Sequence, residues 1–276
     1  MPFQNESAAA EDMGGGDWPP RGPLADWPGV FPMTANIDWC EANYVWTYYV
    51  AEFMNAVSSL AITWMGMVGL YHVVRQAGAM RFRVQFFALA FVGLGSALFH
   101  GTLLREGQVL DELPMLYGVL AGVYALLESQ RGPPRRPLLV PALALGAVGI
   151  TAVYFLFPDN ALPQHAAFIV SVVYLTVASR RELSRMTRGR TVVGNMLLAG
   201  LSCYVVAAGC WLVDKLLCAV WPVQVLYLHA FWHVLAGYGS HLFIVFTDYH
   251  RATLHERHPT LRWTLGVPWV QYSKGV

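Results

Sequence analysis

Residues 92–100 read VGLGSALFH, an apolar run interrupted by Ser96 and closed by His100. The run sits inside a stretch of membrane length, 84–104, where a polar side chain is costly unless it holds something. Ser96 and His100 are spaced i, i+4, so a helix points both the same way. The spacing recurs in LHAFWH at 228–233, with His229 and His233. Outward from these two stretches, seven apolar segments follow one another at 48–74, 84–104, 109–128, 138–157, 165–178, 192–220 and 225–249. Most approach the roughly 20 residues that a bilayer core demands. The expected fold class is an all-α polytopic membrane protein, a bundle of seven transmembrane helices. The fifth segment is short and the sixth long, and Pro114 is expected to bend the third helix.

Composition supports the membrane setting. Of 276 residues, 56% are hydrophobic and only 13% charged, a departure from soluble averages. A formal net charge of +1 offers no electrostatic footprint for nucleic acid. Cys40, Cys203, Cys210 and Cys218 are too few and scattered for a disulfide scaffold or a thiolate zinc cluster, so any metal argument rests on histidine. Cys203 and Cys210, mid-helix, read as small packing residues. Residues 1–36 are rich in Gly, Pro, Asp and Glu and hold no long apolar run. They read as a mobile lumenal tail rather than a signal peptide, ahead of a seven-helix domain at 37–250 and a cytosolic tail at 251–276.

Basic residues orient the bundle. Arg75, Arg81, Arg83, Arg131, Arg135, Arg136, Arg180, Arg181, Arg185, Arg188, Arg190, Arg251, Arg257, Arg262 and Lys274 fall on one side of a seven-helix topology, against Arg21, Arg105 and Lys215 on the other. Positive residues stay cytoplasmic, which predicts a lumenal or extracellular N-terminus and a cytosolic C-terminus. The sequon Asn5-Glu6-Ser7 falls on the predicted lumenal side.

That topology brings the polar residues to one depth. Ser96 and His100 lie toward the lumenal end of the second helix, Asp111 and Glu112 at the start of the third, and His229 and His233 in the first turns of the seventh. Histidines that only bond between helices are the plainer reading for one residue, but three of them with a serine and an aspartate at one level favour a metal site. Zinc accepts three imidazoles, leaves a fourth position for water and lowers that water's pKa to about 7. Asp111 is then placed to orient the water or carry a proton to a departing amine, and Ser96 to bond an oxyanion. The inventory suits metal-assisted hydrolysis of a lipid amide or ester.

A second polar cluster precedes the first helix in DWCEANYVWTYYVAE, with Asp38, Trp39, Glu41, Asn43 and Glu52. Its oxygen side chains suit calcium, although the glycine and spacing of an EF-hand are missing. An acidic cap on a helix start explains the same residues equally well. Asp214 also admits two readings: a support for a histidine through its second ring nitrogen, or a partner for Lys215 or for a neighbouring helix end. Trp46, Tyr48 and Tyr49 read as an interface belt, and His241 and His250, away from the metal level, as structural.

The motifs DWCEANY, AEFMNAVS, GLGSALFH, LDELPMLY, WLVDKLLC and LHAFWHVLAG, in order from Asp38 onward, resemble the alkaline ceramidases, seven-helix membrane amidases. The resemblance implies zinc ligands at His100, His229 and His233, with Ser96 and Asp111 as catalytic partners. It also implies a calcium site formed by Asp38, the Trp39 carbonyl, Glu41, Asn43 and Glu52, and a disulfide between Cys40 and Cys218. The implied substrate is ceramide drawn from the bilayer, cleaved at its N-acyl bond to sphingosine and a fatty acid in endoplasmic reticulum or Golgi membranes. The alternative from another class is a seven-helix receptor or transporter whose polar cluster binds a ligand or ion without hydrolysis.

Overall fold

The structure, a computed structural model, describes residues 29–129, 136–158, 160, 162–186, 189–220 and 223–273. Among these, seven helices are long and apolar enough to cross a membrane: α1 (Phe53–Arg75), α2 (Met80–Thr102), α3 (Arg105–Leu127), α4 (Leu139–Leu156), α5 (Leu162–Arg185), α6 (Arg190–Leu217) and α7 (Leu228–Leu254). The sequon at 5–7 and Arg21, Arg131, Arg135, Arg188 and Lys274 lie outside the described residues.

Helix ends depart from the apolar segments for identifiable reasons. α1 starts at Phe53 rather than 48, because the Ala51 and Glu52 N–H groups donate to the Gly101 and His100 carbonyls at 3.0 and 2.9 Å. That strap ties the chain entering α1 across the end of α2. α5 runs 24 residues where the apolar run covered about half of that. Its charged end stays helical, with Arg185 donating to Glu182 at 2.8 Å across an i, i+3 pair. Hydropathy marks where a helix leaves hydrocarbon, not where it stops. Pro114 sits inside α3.

α7 is the central element and is buried along most of its length, whereas α4 is peripheral and buries only Tyr154. Close approach of α2 and α3 depends on glycine. A Cβ on Gly95 would collide with the Leu110 carbonyl, and this contact sets Ser96 beside Asp111. Gly95→Leu is therefore expected to lower the melting temperature in detergent, through an overpacking cost of about 1–3 kcal/mol. An unchanged melt would contradict the packing described.

The chain end adds to the helical bundle a hairpin that the sequence reading did not include. β1 (Thr260–Thr264) and β2 (Val267–Gln271) form an antiparallel hairpin with Thr260 opposite Gln271. Leu265 and Gly266 turn it with φ of +47° and +80°, the signature of a two-residue primed turn. Val267 and Val270 join the main core. Trp269 stacks on His72 with centroids 3.8 Å apart, and the Tyr272 hydroxyl donates to Asp248 at 2.7 Å. Nε2 of His241 meets the Pro268 carbonyl at 2.7 Å. The other end is also tied down: the Thr34 and Ala35 N–H groups donate to the Leu103 carbonyl at 3.1 and 3.0 Å, and that of Asn36 to Gln108 Oε1 at 3.0 Å.

Candidate metal centre and its cavity

His229 and His233 stand on one face of α7 with ring centroids 4.6 Å apart, as an i, i+4 pair must. α2 supplies His100, whose ring lies 5.1 Å from His229 and 4.7 Å from His233. One nitrogen from each ring can be chosen so that all three lie within 4.8 Å of one another. All three residues are buried, at 0%, 3% and 3% exposure for His100, His229 and His233.

The unused ring nitrogens test whether this set fits a metal. His100 Nδ1 is engaged by Glu52 Oε2, which leaves Nε2 buried and without a partner. His229 Nδ1 is likewise buried and unpartnered, and Trp39 stacks on that ring at 3.7 Å. His233 Nδ1 meets Ser58 Oγ at 2.9 Å and Ser59 Oγ at 3.3 Å, so Nε2 turns toward the other rings and toward Ser96 Oγ, 3.4 Å away. An orphaned buried nitrogen costs about 1–3 kcal/mol, and two orphans converging with a third donor make a natural cation socket. A set of three imidazole nitrogens is the donor chemistry that zinc, among other cations, accepts.

Ser96 and Asp111 lie against this group. The Ser59 hydroxyl donates to Ser96 Oγ at 3.0 Å, and the Ser96 hydroxyl bonds the Asp111 carboxyl. Sequence reasoning passed over Asn55, Ser58 and Ser59, which steer His233 and Ser96 from α1. The signal was present as three polar residues spaced i, i+3, i+4 in an otherwise apolar helix.

The second cluster is packed against the first. Both oxygens of Glu41 accept α1 N–H groups, from Met54 at 2.7 Å and Asn55 at 2.8 Å. Glu52 faces both ways: Oε1 accepts from the Trp39 N–H at 2.9 Å, while Oε2 meets His100 and accepts from Asn55 Nδ2 at 3.0 Å. Asn43 Nδ2 donates to Asp38 Oδ1 at 3.1 Å, and Asn43 Oδ1 is buried without a partner. Burial, with Glu52 adding repulsion, pushes the Asp38 carboxyl up to about 7. Burial also carries Glu41 and Glu52 to about 7, against the hydrogen bonds they accept. An orphan amide oxygen among carboxyls that resist ionisation is the chemistry a hard cation resolves.

A disulfide joins Cys40 to Cys218, with Cα atoms 5.3 Å apart. Asp214, 2% exposed, accepts from the Cys40 N–H at 3.4 Å and from the His229 backbone N–H. It thus supports the start of α7 rather than a histidine ring. Lys215 lies instead over the Trp39 and Trp211 rings, 5.3 and 5.8 Å from their centroids.

From the histidines a cavity of about 660 Å³ runs into the bundle between α2, α3, α5, α6 and α7. Ser96, Asp111, His229 and His233 line its head, and its walls below are largely apolar. The arrangement combines a cation socket, a hydroxyl and a carboxyl with a slot of the shape a lipid chain fills.

Comparison with known proteins places the chain. The family model described as Ceramidase matches residues 31–271. Alkaline ceramidase 3 of Mus musculus is 30% identical over 257 residues, covering 89% of this chain and 95% of the relative. Alkaline ceramidase 1 of Homo sapiens is 29% identical over 266 residues, with 88% and 97% covered. The alkaline ceramidase of Arabidopsis thaliana is 28% identical over 251 residues, with 88% and 94% covered. A match along nearly the whole length of both partners, spanning all seven helices and the hairpin, makes this chain a member of the ceramidase family.

Proposed function

We propose that the protein is a zinc-dependent intramembrane amidase that hydrolyses the N-acyl bond of ceramide to sphingosine, or a related long-chain base, and a free fatty acid. The observation that carries this reading is the group of three buried histidines at the head of an apolar cavity, with Ser96 and Asp111 beside it. His100, His229 and His233 would hold the zinc. The ion supplies Lewis acidity and lowers the pKa of a water to about 7. Ser96 and Asp111 work as a unit: Ser59 donates to Ser96 Oγ, whose one hydroxyl proton bonds the Asp111 carboxyl and would have to leave it to bond the developing oxyanion. Asp111 would take a proton from the attacking water and pass it to the departing nitrogen. Glu52, Ser58 and Trp39 keep the rings from turning, as supporting groups around metal ligands do.

The charge asymmetry supports a lumenal N-terminus and a cytosolic C-terminus, which sets the histidine end toward the lumen of the endoplasmic reticulum or Golgi. Ceramide then enters from the bilayer with its head at the histidines. Every relative named above is called a ceramidase, and no observation favours a receptor or transporter.

Metal analysis of the purified protein, paired with hydrolysis of labelled ceramide, tests the proposal. One zinc per chain is expected. Release of fatty acid should stop when a strong chelator removes the ion and return when zinc is restored; hydrolysis that persists in the stripped protein would refute the mechanism.

For the second cluster, Asp38, the Trp39 carbonyl, Glu41, Asn43 and Glu52 would hold calcium, which neutralises the crowded carboxyls. A calcium-selective chelator is expected to lower the melting temperature by several degrees, since a ligand at 100 times its Kd stabilises by about 2.7 kcal/mol. A melt indifferent to calcium would dismiss the site.

A further inference from the structure

We propose that Gly122, together with Gln85, Leu175 and Ile244, forms the floor that sets the longest N-acyl chain the cavity accommodates; the inference rests on the ceramidase reading above. Four pairs of cavity-lining residues mark head and floor: Ser96 and Gln85 on α2, Asp111 and Gly122 on α3, Gln164 and Leu175 on α5, and His233 and Ile244 on α7. Each pair is eleven residues apart, about 16.5 Å of helix at 1.5 Å per residue. The lining also includes Phe99 and His229 above these pairs and Thr176 at the foot of α5, and around Gly122 the floor residues Leu175 and Gln85 come together. One turn or less beyond the floor, Phe82, Ala125, Val193 and Phe246 are at most 1% exposed, so the bottom is sealed by packed core.

Carbon–carbon bonds of about 1.5 Å advance an all-trans chain by about 1.25 Å each, so the slot takes roughly thirteen carbons beyond the carbonyl before the methyl end meets the floor. A Cβ on Gly122 would lie 3.3 Å from Phe243 Cε1, 3.4 Å from Leu175 Cδ1 and 3.8 Å from Gln85 Oε1. Any longer side chain there has to occupy the floor or displace it. Glycine in a helix interior costs about 1 kcal/mol relative to alanine, and at this position it leaves the depth open.

The wall chemistry suits an acyl chain. Between head and floor the lining is apolar apart from Tyr204 and Ser240, whose hydroxyls satisfy each other at 2.5 Å. An acyl chain is hydrocarbon from its second carbon, whereas a long-chain base carries hydroxyls beside the nitrogen. Those hydroxyls suit the polar head of the cavity, where Asp111, Glu112 and Gln164 gather.

The test uses the full chain purified in detergent and two readouts. One is kcat/KM on ceramides that share a base and differ in acyl length from eight to twenty-four carbons. The other is thermal stabilisation by free fatty acids of the same lengths, which needs no turnover. Both should rise to about fourteen carbons and then level or fall. Gly122→Leu is expected to move that break to shorter chains and cost roughly tenfold at fourteen carbons, the worth of about two buried methylenes, with little change at eight. Ile244→Ala should move the break the other way, and it decides the matter if Gly122→Leu does not fold. A break unmoved in Ile244→Ala overturns the proposal, as does a profile with no break across the acyl lengths. Fatty-acid stabilisation that breaks and shifts as described, in a protein that cleaves no ceramide, would uphold the floor and remove the hydrolase reading.

Discussion

Replacing His233 with alanine is expected to abolish zinc binding and lower kcat/KM on ceramide by about three orders of magnitude or more, the scale of several kcal/mol of lost charge stabilisation. Two donors from His100 and His229 remain, too few to hold a catalytic ion in a site that ordinarily uses three protein ligands. The substitution also leaves the Ser58 and Ser59 hydroxyls without their ring partner. A melting curve must therefore accompany the assay, so that loss of metal is read on folded protein. Zinc by atomic absorption and fatty acid release from labelled ceramide are the paired measurements. Full activity in this variant would end the reading of His233 as a ligand of a catalytic zinc.

Asp111→Asn should behave differently, and the contrast is informative. The amide has nearly the shape of the carboxyl and touches no histidine nitrogen, so zinc content is expected to stay at the wild-type level. Rate is expected to fall by about 10²–10⁴, the usual contribution of a positioned acid or base, with KM nearly unchanged. Loss of zinc would instead make Asp111 a ligand or a scaffold. Ser96 separates the two residues in space: it contacts both the His233 ring and Asp111, so damage at either is transmitted through one hydroxyl.

Much of the architecture was legible before any coordinates. Seven spans follow from apolar length, because a bilayer leaves the backbone no other satisfied conformation than a helix or a closed barrel. Grouping His100 with His229 and His233 followed from counting the sense of successive helices, since α2 and α7 then bring their polar turns to the same end. What stayed hidden depends on contacts between distant positions. Glu52 reads in the sequence as a carboxylate returning from the first helix to the loop before it, and nothing about residue 52 announces that it meets residue 100. The role of Asp214 was open for the same reason: spacing places it at the right depth, but only the fold shows that it caps α7 through the His229 N–H.

The hairpin was missed on different grounds. TLRWT and VPWVQ are five-residue strands, and the Leu265-Gly266 turn lacks the Asn-Gly or Asp-Gly pair that announces a primed turn. α5 was drawn too short because its last turns are charged, a property that ends a hydrocarbon crossing without ending a helix.

The clasp of Trp269 and Pro268 by His72 and His241 has a bearing on biosynthesis. Those partners belong to the first and last spans, so the two ends of the membrane domain are stapled by residues translated after all seven spans have been made. A nascent chain can insert every helix and still lack its keystone, and the corner between α1 and α7 matures only after the hairpin has been made.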